Sequence, residues 1–229
     1  MPSEGIPSET IEPHASLEPA SSGTAPGAGA IEALALFAVI MAYIWKLRFT
    51  HPRLWLPALV LIVLSHFARH ERAPALGFRT TGFGTCLRKF GPVLAGLALS
   101  LLGLGVWLGT IRPLGFEQAL RSFALYLPWG LFQQYLLNGF FLRRFEMLLS
   151  QTGAGILASV LFGVVHTPNW FLMAVTLVGG YTATWIYRRH RNLYFLGFAH
   201  ATIGFLLFFA LPDSVSHHLN IGPTWAARP

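Results

Sequence analysis

Three amides and two histidines stand at positions where an apolar chain would ordinarily place leucine. The stretch from Pro128 to Arg144 reads PWGLFQQYLLNGFFLRR, an apolar helix of membrane type interrupted by Gln133, Gln134 and Asn138. Gln134 and Asn138 are four residues apart and share a helical face. Gln133 is their neighbour around the helix. Gly139 follows and is expected to admit a neighbouring backbone. Arg143 and Arg144 end the apolar run in the manner of charges at a membrane surface. His166 closes LASVLFGVVH, and His200 lies inside LYFLGFAHATIGFLLFF. Amides buried in hydrocarbon are costly unless they find partners. Ionisable groups there mark functional positions by default. Two imidazoles and three amides on separate helices could form one pocket of low dielectric, where each polar interaction counts for more than in water. The plainer alternative is that these groups only tie helices together.

The elements that must position them are helices. Of the 229 residues, 54% are hydrophobic and 11% are charged, less than half the charged share of about 25% usual for soluble domains. The fold class is all-α, a polytopic transmembrane bundle of about seven spans behind a disordered N-terminal tail. The segments run from about Gly27 to Trp45, Arg53 to Ala68, Pro92 to Thr110, Ala119 to Leu142, Gly153 to His166, Trp170 to Tyr187 and Leu193 to Leu211. The fifth is short and is expected to stop inside the membrane, with Thr167 to Trp170 as a turn buried in protein. Ala73 to Gly91 is basic, contains glycine and is partly amphipathic, which suits the interface. Residues 1–29, acidic and rich in Pro, Ser and Gly, form the tail. Residues 30–211 form the membrane domain, and residues 212–229 a short C-terminal tail.

Other residues read more simply. The net charge of +7 does not indicate nucleic acid, because the basic residues lie in short loops between apolar runs. Ten of them fall on one side of the membrane and six on the other, which places the N-terminus in the cytoplasm. Cys86 is the only cysteine and can form no internal disulfide. Glu32 and Glu117 suit the N-terminal ends of helices. Asn169 either lines the pocket or caps the next helix. His217 and His218 are adjacent in the tail, a poor pattern for metal binding. Two histidines with amides offer few strong ligands, so neither metal nor other cofactor is expected.

The ordered set of motifs resembles the CPBP family, the membrane proteins grouped with type II CAAX prenyl endopeptidases and bacteriocin-processing proteins. That family's pattern is a Glu-Glu-x-x-x-Arg helix, a Phe-x-x-x-His helix and a later His-x-x-x-Asn helix. Here the three are Gln133-Gln134 with Asn138, Phe162 with His166, and His200 with Gly204, and the resemblance covers about Gly91 to Leu211. It implies an intramembrane endopeptidase of a bacterial inner membrane that cuts membrane-anchored or lipidated peptides. By the same resemblance Gln133, Gln134, Asn138, His166 and His200 are the catalytic positions. In the family the first Glu and the second-motif His activate water, and the later His and Asn stabilise the oxyanion. An amide cannot accept a proton at neutral pH, and losing a general base typically costs about 10² to 10⁴ in rate. His166 and His200 are then the obvious bases left. The changes are coordinated: two acids and the cation that offset them have all become neutral amides. A non-proteolytic protein on the same scaffold, binding a partner helix or transferring an acyl or other group, is the alternative.

Overall fold

The computed structural model describes residues 26–226, and the tail expected at the N-terminus lies outside the described residues up to residue 25. Among the described residues all regular structure is helical. Helix α1 (Pro26–Ala42) continues through a π turn, Tyr43–Leu47, to Thr50, and is followed by α2 (Trp55–Ala68) and α3 (Phe83–Leu108). Helix α4 (Phe116–Gln134) runs on through a π-helical stretch, Tyr135–Leu142, into Arg143–Glu146. Then come α5 (Gln151–Val164), α6 (Trp170–His190) and α7 (Leu193–Ala210), with the short α8 (Asp213–Ser216) and α9 (Pro223–Ala226). Among the described residues three helical stretches are long and apolar enough to cross a membrane: Gly27–Thr50, Phe83–Leu108 and Leu193–Ala210. Pro52–Ala68 and Gln151–Val164 are apolar but shorter. Outward-facing side chains such as Leu61, Val93 and Trp107 are exposed, as expected of surfaces solvated by lipid.

Side-chain caps define where the later helices begin. Ser150 Oγ accepts from Gly153 N, Asn169 Oδ1 from Leu172 N, and Asn192 Oδ1 from Phe195 N, satisfying backbone donors that a helix start leaves open. Helix α3 begins at Phe83, so the stretch expected at the interface from Ala73 to Gly91 divides in two. Its second half is already helix. Its first half is pinned to the α6–α7 turn: Leu193 N donates to Gly77 O, Tyr187 Oη to Leu76 O, and Asn192 Nδ2 to Arg79 O and Thr81 O. Gly77 has φ +97 and a Cβ there would lie 3.0 Å from Arg191 O, so only glycine fits this turn.

Helix α7 is the centre of the bundle, packed along α4 on one side and α3 on the other, while α5 and α6 pair as a hairpin. Small residues make these approaches possible. A Cβ at Gly197 would fall 2.7 Å from Leu131 Cα, and one at Gly130 would fall 2.8 Å from Gly197 O. Gly105 meets Ala210 O in the same way at 2.7 Å. Gly139 does not play the part expected of it. Its open side is filled by the Tyr135 ring of its own helix, 2.9 Å from where a Cβ would stand.

The end of α4 carries a second departure. Arg144 is not a surface charge but is 1% exposed. Its Nη2 donates to Glu71 Oε2 at 2.7 Å and to Ser65 Oγ at 3.1 Å. Arg143 Nη2 donates to Glu71 Oε1 at 2.7 Å, and His66 Nδ1 shares a hydrogen bond with Glu71 Oε2 at 2.7 Å. Glu32 pairs with Arg69 at 2.6 Å and approaches Arg144 at 3.5 Å, so its role is to join α1 to this cluster rather than to complement a helix dipole. Burial by itself would raise the Glu71 carboxyl. Hydrogen bonds from His66, Arg144 and Arg143, with the Arg144 charge, outweigh it and hold the group well below the usual carboxylate range.

Two outcomes follow. Gly197→Ala lowers the thermal unfolding midpoint in detergent through an overpacking cost of about 1–3 kcal/mol, whereas Gly96→Ala, where nothing lies within 4 Å, does not lower it. Glu71 has a depressed folded-state value, so its stabilisation is complete above the unfolded carboxylate value of about 4.3 and is lost as pH falls from there. Unfolding measured against pH therefore shows wild type converging on Glu71→Gln in acid. Near neutrality the variant is less stable by about 3–5 kcal/mol, because it strands the Arg144 charge.

Candidate active site

The close α4–α7 crossing sets the first part of the site. The two helices run antiparallel, with Tyr126 against Gly204, Gly130 against Gly197 and Gly139 near Leu193, and the crossing brings their axes close enough for Gln134 to reach across to His200. Gln134 Nε2 donates to His200 Nδ1 at 3.2 Å, and Asn138 Nδ2 donates to Gln134 Oε1 at 2.8 Å. Asn138, inside the π-helical stretch, is fully buried and Gln134 is 3% exposed. Stretches of π geometry of this kind occur most often at functional sites. Asn138 Oδ1 is buried without a partner. The chain Asn138–Gln134–His200 is thus a relay of neutral groups. It leaves His200 with Nδ1 accepting and Nε2 carrying the proton.

Gln133 faces elsewhere. It lines a cavity of about 810 Å³ between α1, α2, α4 and α5, and His166 lines the same cavity. The remaining walls are almost wholly apolar, with Phe37, Ile62, Trp129 and Phe141 among them. His166 sits in the turn between α5 and α6, 9% exposed, with Nδ1 donating to Phe162 O at 2.7 Å. A carbonyl only accepts, so Nδ1 bears the hydrogen and the neutral ring keeps a free lone pair on Nε2. The Phe162 ring packs edge-on against both imidazoles, its centroid 5.2 Å from His166 and 6.0 Å from His200. The adjacent glutamines are therefore divided: Gln133 goes with His166 at the cavity, and Gln134 goes inward with His200 and Asn138.

Asn169 turns out to be a cap and a tether. It is fully buried, accepts from Leu172 N, and donates to Ser216 O and Asn220 O. Gly204 is where the resemblance places a last Asn, and a Cβ there would lie 3.0 Å from Tyr126 Cε1, so the Tyr126 ring occupies that space. His217 packs against Trp225 at a tilt, and His218 pairs with Asp213 at 2.8 Å. Among the described residues, no group of three or more His, Cys, Asp or Glu side chains is arranged to hold a metal.

Sequence reasoning passed over several contributors. His66 and Ser65 lie within an apolar run, and the rule that singled out His166 would also have found His66. Tyr43 and Arg48 from the end of α1, and Leu219 and Ile221 from the C-terminal segment, complete the cavity. Their distance along the chain from the motifs gave no local signal.

A family model described as type II CAAX prenyl endopeptidase Rce1-like matches residues 115–206. That span runs from the start of α4 into α7 and holds Gln133, Gln134, Asn138, His166 and His200. Neither the curated proteins nor the solved structures contain a match to the chain.

The hydrogen bonding of the two imidazoles can be read directly. ¹⁵N spectra of histidine-labelled protein at neutral pH should give the Nδ1–H tautomer for His166 and the Nε2–H tautomer for His200. Gln134→Leu removes the donor to His200 and the acceptor of Asn138, so it releases the His200 tautomer, leaves that of His166 in place, and costs about 1–3 kcal/mol in stability.

Proposed function

We propose that the chain is an intramembrane endopeptidase that cuts membrane-anchored or lipidated peptides by a variant of the chemistry associated with the matching family. In this reading all seven long helical segments lie in the bilayer of a bacterial inner membrane, with the N-terminus in the cytoplasm. The substrate's apolar part enters the cavity and its scissile bond lies beside His166. The observation that carries the reading is the hydrogen bond from His166 Nδ1 to Phe162 O, which leaves Nε2 as a lone pair in the wall of an otherwise apolar cavity.

The steps follow from the groups available. His166 Nε2 takes a proton from a water held by Gln133, and the hydroxide oxygen adds to the peptide carbonyl. The family resemblance gives His200 the oxyanion-donor role through its Nε2 proton; His200 lies behind the cavity wall beside Gln134, so in this reading the carbonyl oxygen points inward from His166 toward it. The imidazolium at His166 then returns the proton to the departing amine as the C–N bond breaks. With glutamine in place of the acid pair, rates about 10² to 10⁴ below those of a carboxylate-assisted site are expected.

One observation favours the second reading, a non-proteolytic protein that holds a partner helix or serves group transfer. No carboxylate is among the described residues lining the cavity, and the Asn138–Gln134 and Gln134–His200 hydrogen bonds form without a substrate.

The two readings separate in a comparison of peptide termini in membrane fractions from three strains: gene present, gene deleted, and His166→Ala. The peptidase reading expects termini that appear only with the intact gene. Identical termini in all three would reject it in favour of the second reading.

A further inference from the structure

Among the described residues Arg48 is the one charged side chain lining the cavity, and no carboxylate answers its charge. Its Nη2 donates to Ile221 O and Thr224 Oγ1, each at 3.1 Å. Its guanidinium carbon stands 4.7 Å from the centroid of the Phe49 ring. Nε is buried without an acceptor, and among the described residues Nη1 has none and no carboxylate pairs with the group. A guanidinium carries five donors in a fixed fork that suits carboxylate and phosphate. Here most of that fork is unanswered at the rim of a largely apolar cavity with no acid among its described lining residues.

The depth of Arg48 indicates what would answer it. It lies near the end of the span Gly27–Thr50, next to Lys46 and close in sequence to Arg53, with Trp45 and Trp55 exposed nearby. Tryptophans and basic residues at the end of a span mark the level of lipid headgroups. Away from that end the cavity is walled by apolar side chains of α1, α2 and α4 such as Ile40, Leu59 and Leu136. A ligand fitting both parts has a phosphate at the membrane surface and an acyl chain reaching into the bilayer. At about 810 Å³ the space falls within the range of about 300–1,000 Å³ usual for small-molecule sites.

We infer that this cavity is a binding site for an anionic phospholipid, with one acyl chain along the apolar walls and the phosphate on Arg48. The site is distinct from the proposed catalytic step, because lipid retention involves neither the His200 relay nor a proton transfer. A lipid held there occupies the space a lipidated peptide would enter, so it competes with such a substrate.

The test uses the full chain in nanodiscs of phosphatidylcholine containing a minor fraction of phosphatidylglycerol. The protein is extracted in mild detergent and its bound lipid measured by native mass spectrometry, with no peptide present. Wild type should retain phosphatidylglycerol in preference to phosphatidylcholine. Arg48→Gln should reduce that preference about tenfold, the scale of one charge-assisted hydrogen bond. Thr224→Val, which removes part of the Arg48 tether but keeps the charge, and Arg53→Gln, which removes an exposed neighbouring charge, should both retain it. Ala58→Phe, which narrows the cavity, should reduce retention of both lipids. Equal retention by wild type and Arg48→Gln would overturn the inference. So would an equal loss in Arg53→Gln, which would mean surface charge alone, or full retention in Ala58→Phe, which would place the chain outside the cavity.

Discussion

The structure depends on a backbone contact between α4 and α7. Gly130 and Gly197 face each other so closely that a methyl group on either would overlap the other helix. Lipid tails are as apolar as leucine, so helices in a membrane gain little from hiding hydrophobic surface from one another. They associate through close packing and hydrogen bonds. The glycine contact supplies the first and permits the second, because it brings the antiparallel axes of α4 and α7 close enough for Gln134 to reach His200. Asn138 then completes a chain of three side chains, each polarising the next in surroundings of low dielectric.

A second polar assembly holds the opposite part of the bundle. Glu71 gathers His66, Arg143 and Arg144, and Glu32 and Arg69 extend the network to α1. Buried ion pairs contribute little net stability relative to apolar packing, but breaking one is costly. Such a network specifies position: it fixes the end of α4 against α2 and thereby the wall of the cavity. The same long helix, α4 with its π-helical continuation, thus carries a neutral relay in its middle and a charged anchor at its end. Gln133, just before the relay, faces the cavity.

Division of labour at the two imidazoles follows from their different partners. His166 is anchored by a backbone carbonyl and His200 by a side-chain amide. One ring therefore keeps a lone pair and the other a proton on Nε2, the two complementary capacities on which the proposed peptidase reading draws. In a site with carboxylates at positions 133 and 134 those capacities would be supplemented by acids. Here the protein sets them through hydrogen-bond direction alone.

The helical segments, the polar exceptions Gln133, Gln134, Asn138, His166 and His200 within them, and a resemblance over about Gly91 to Leu211, of which the family model matches residues 115–206, could be read from local pattern, because hydrophobic runs and the polar residues interrupting them are properties of neighbouring residues. The i, i+4 spacing of Gln134 and Asn138 likewise determined that they would touch. What tertiary structure decided was partnership. Nothing local distinguishes Arg144 as buried or Glu71 as its counter-ion, since the two are brought together by loop closure across 73 positions. The split of Gln133 from Gln134 depends on which neighbouring helices occupy each face of α4. The role of Gly139 went to Gly130 because the Tyr135 ring folds over the former. Arg48 belongs to a cavity only because the C-terminal segment returns to it from 173 positions away. Sequence carries periodicity along a helix, while the identity of the surface opposite each face is set by packing between helices.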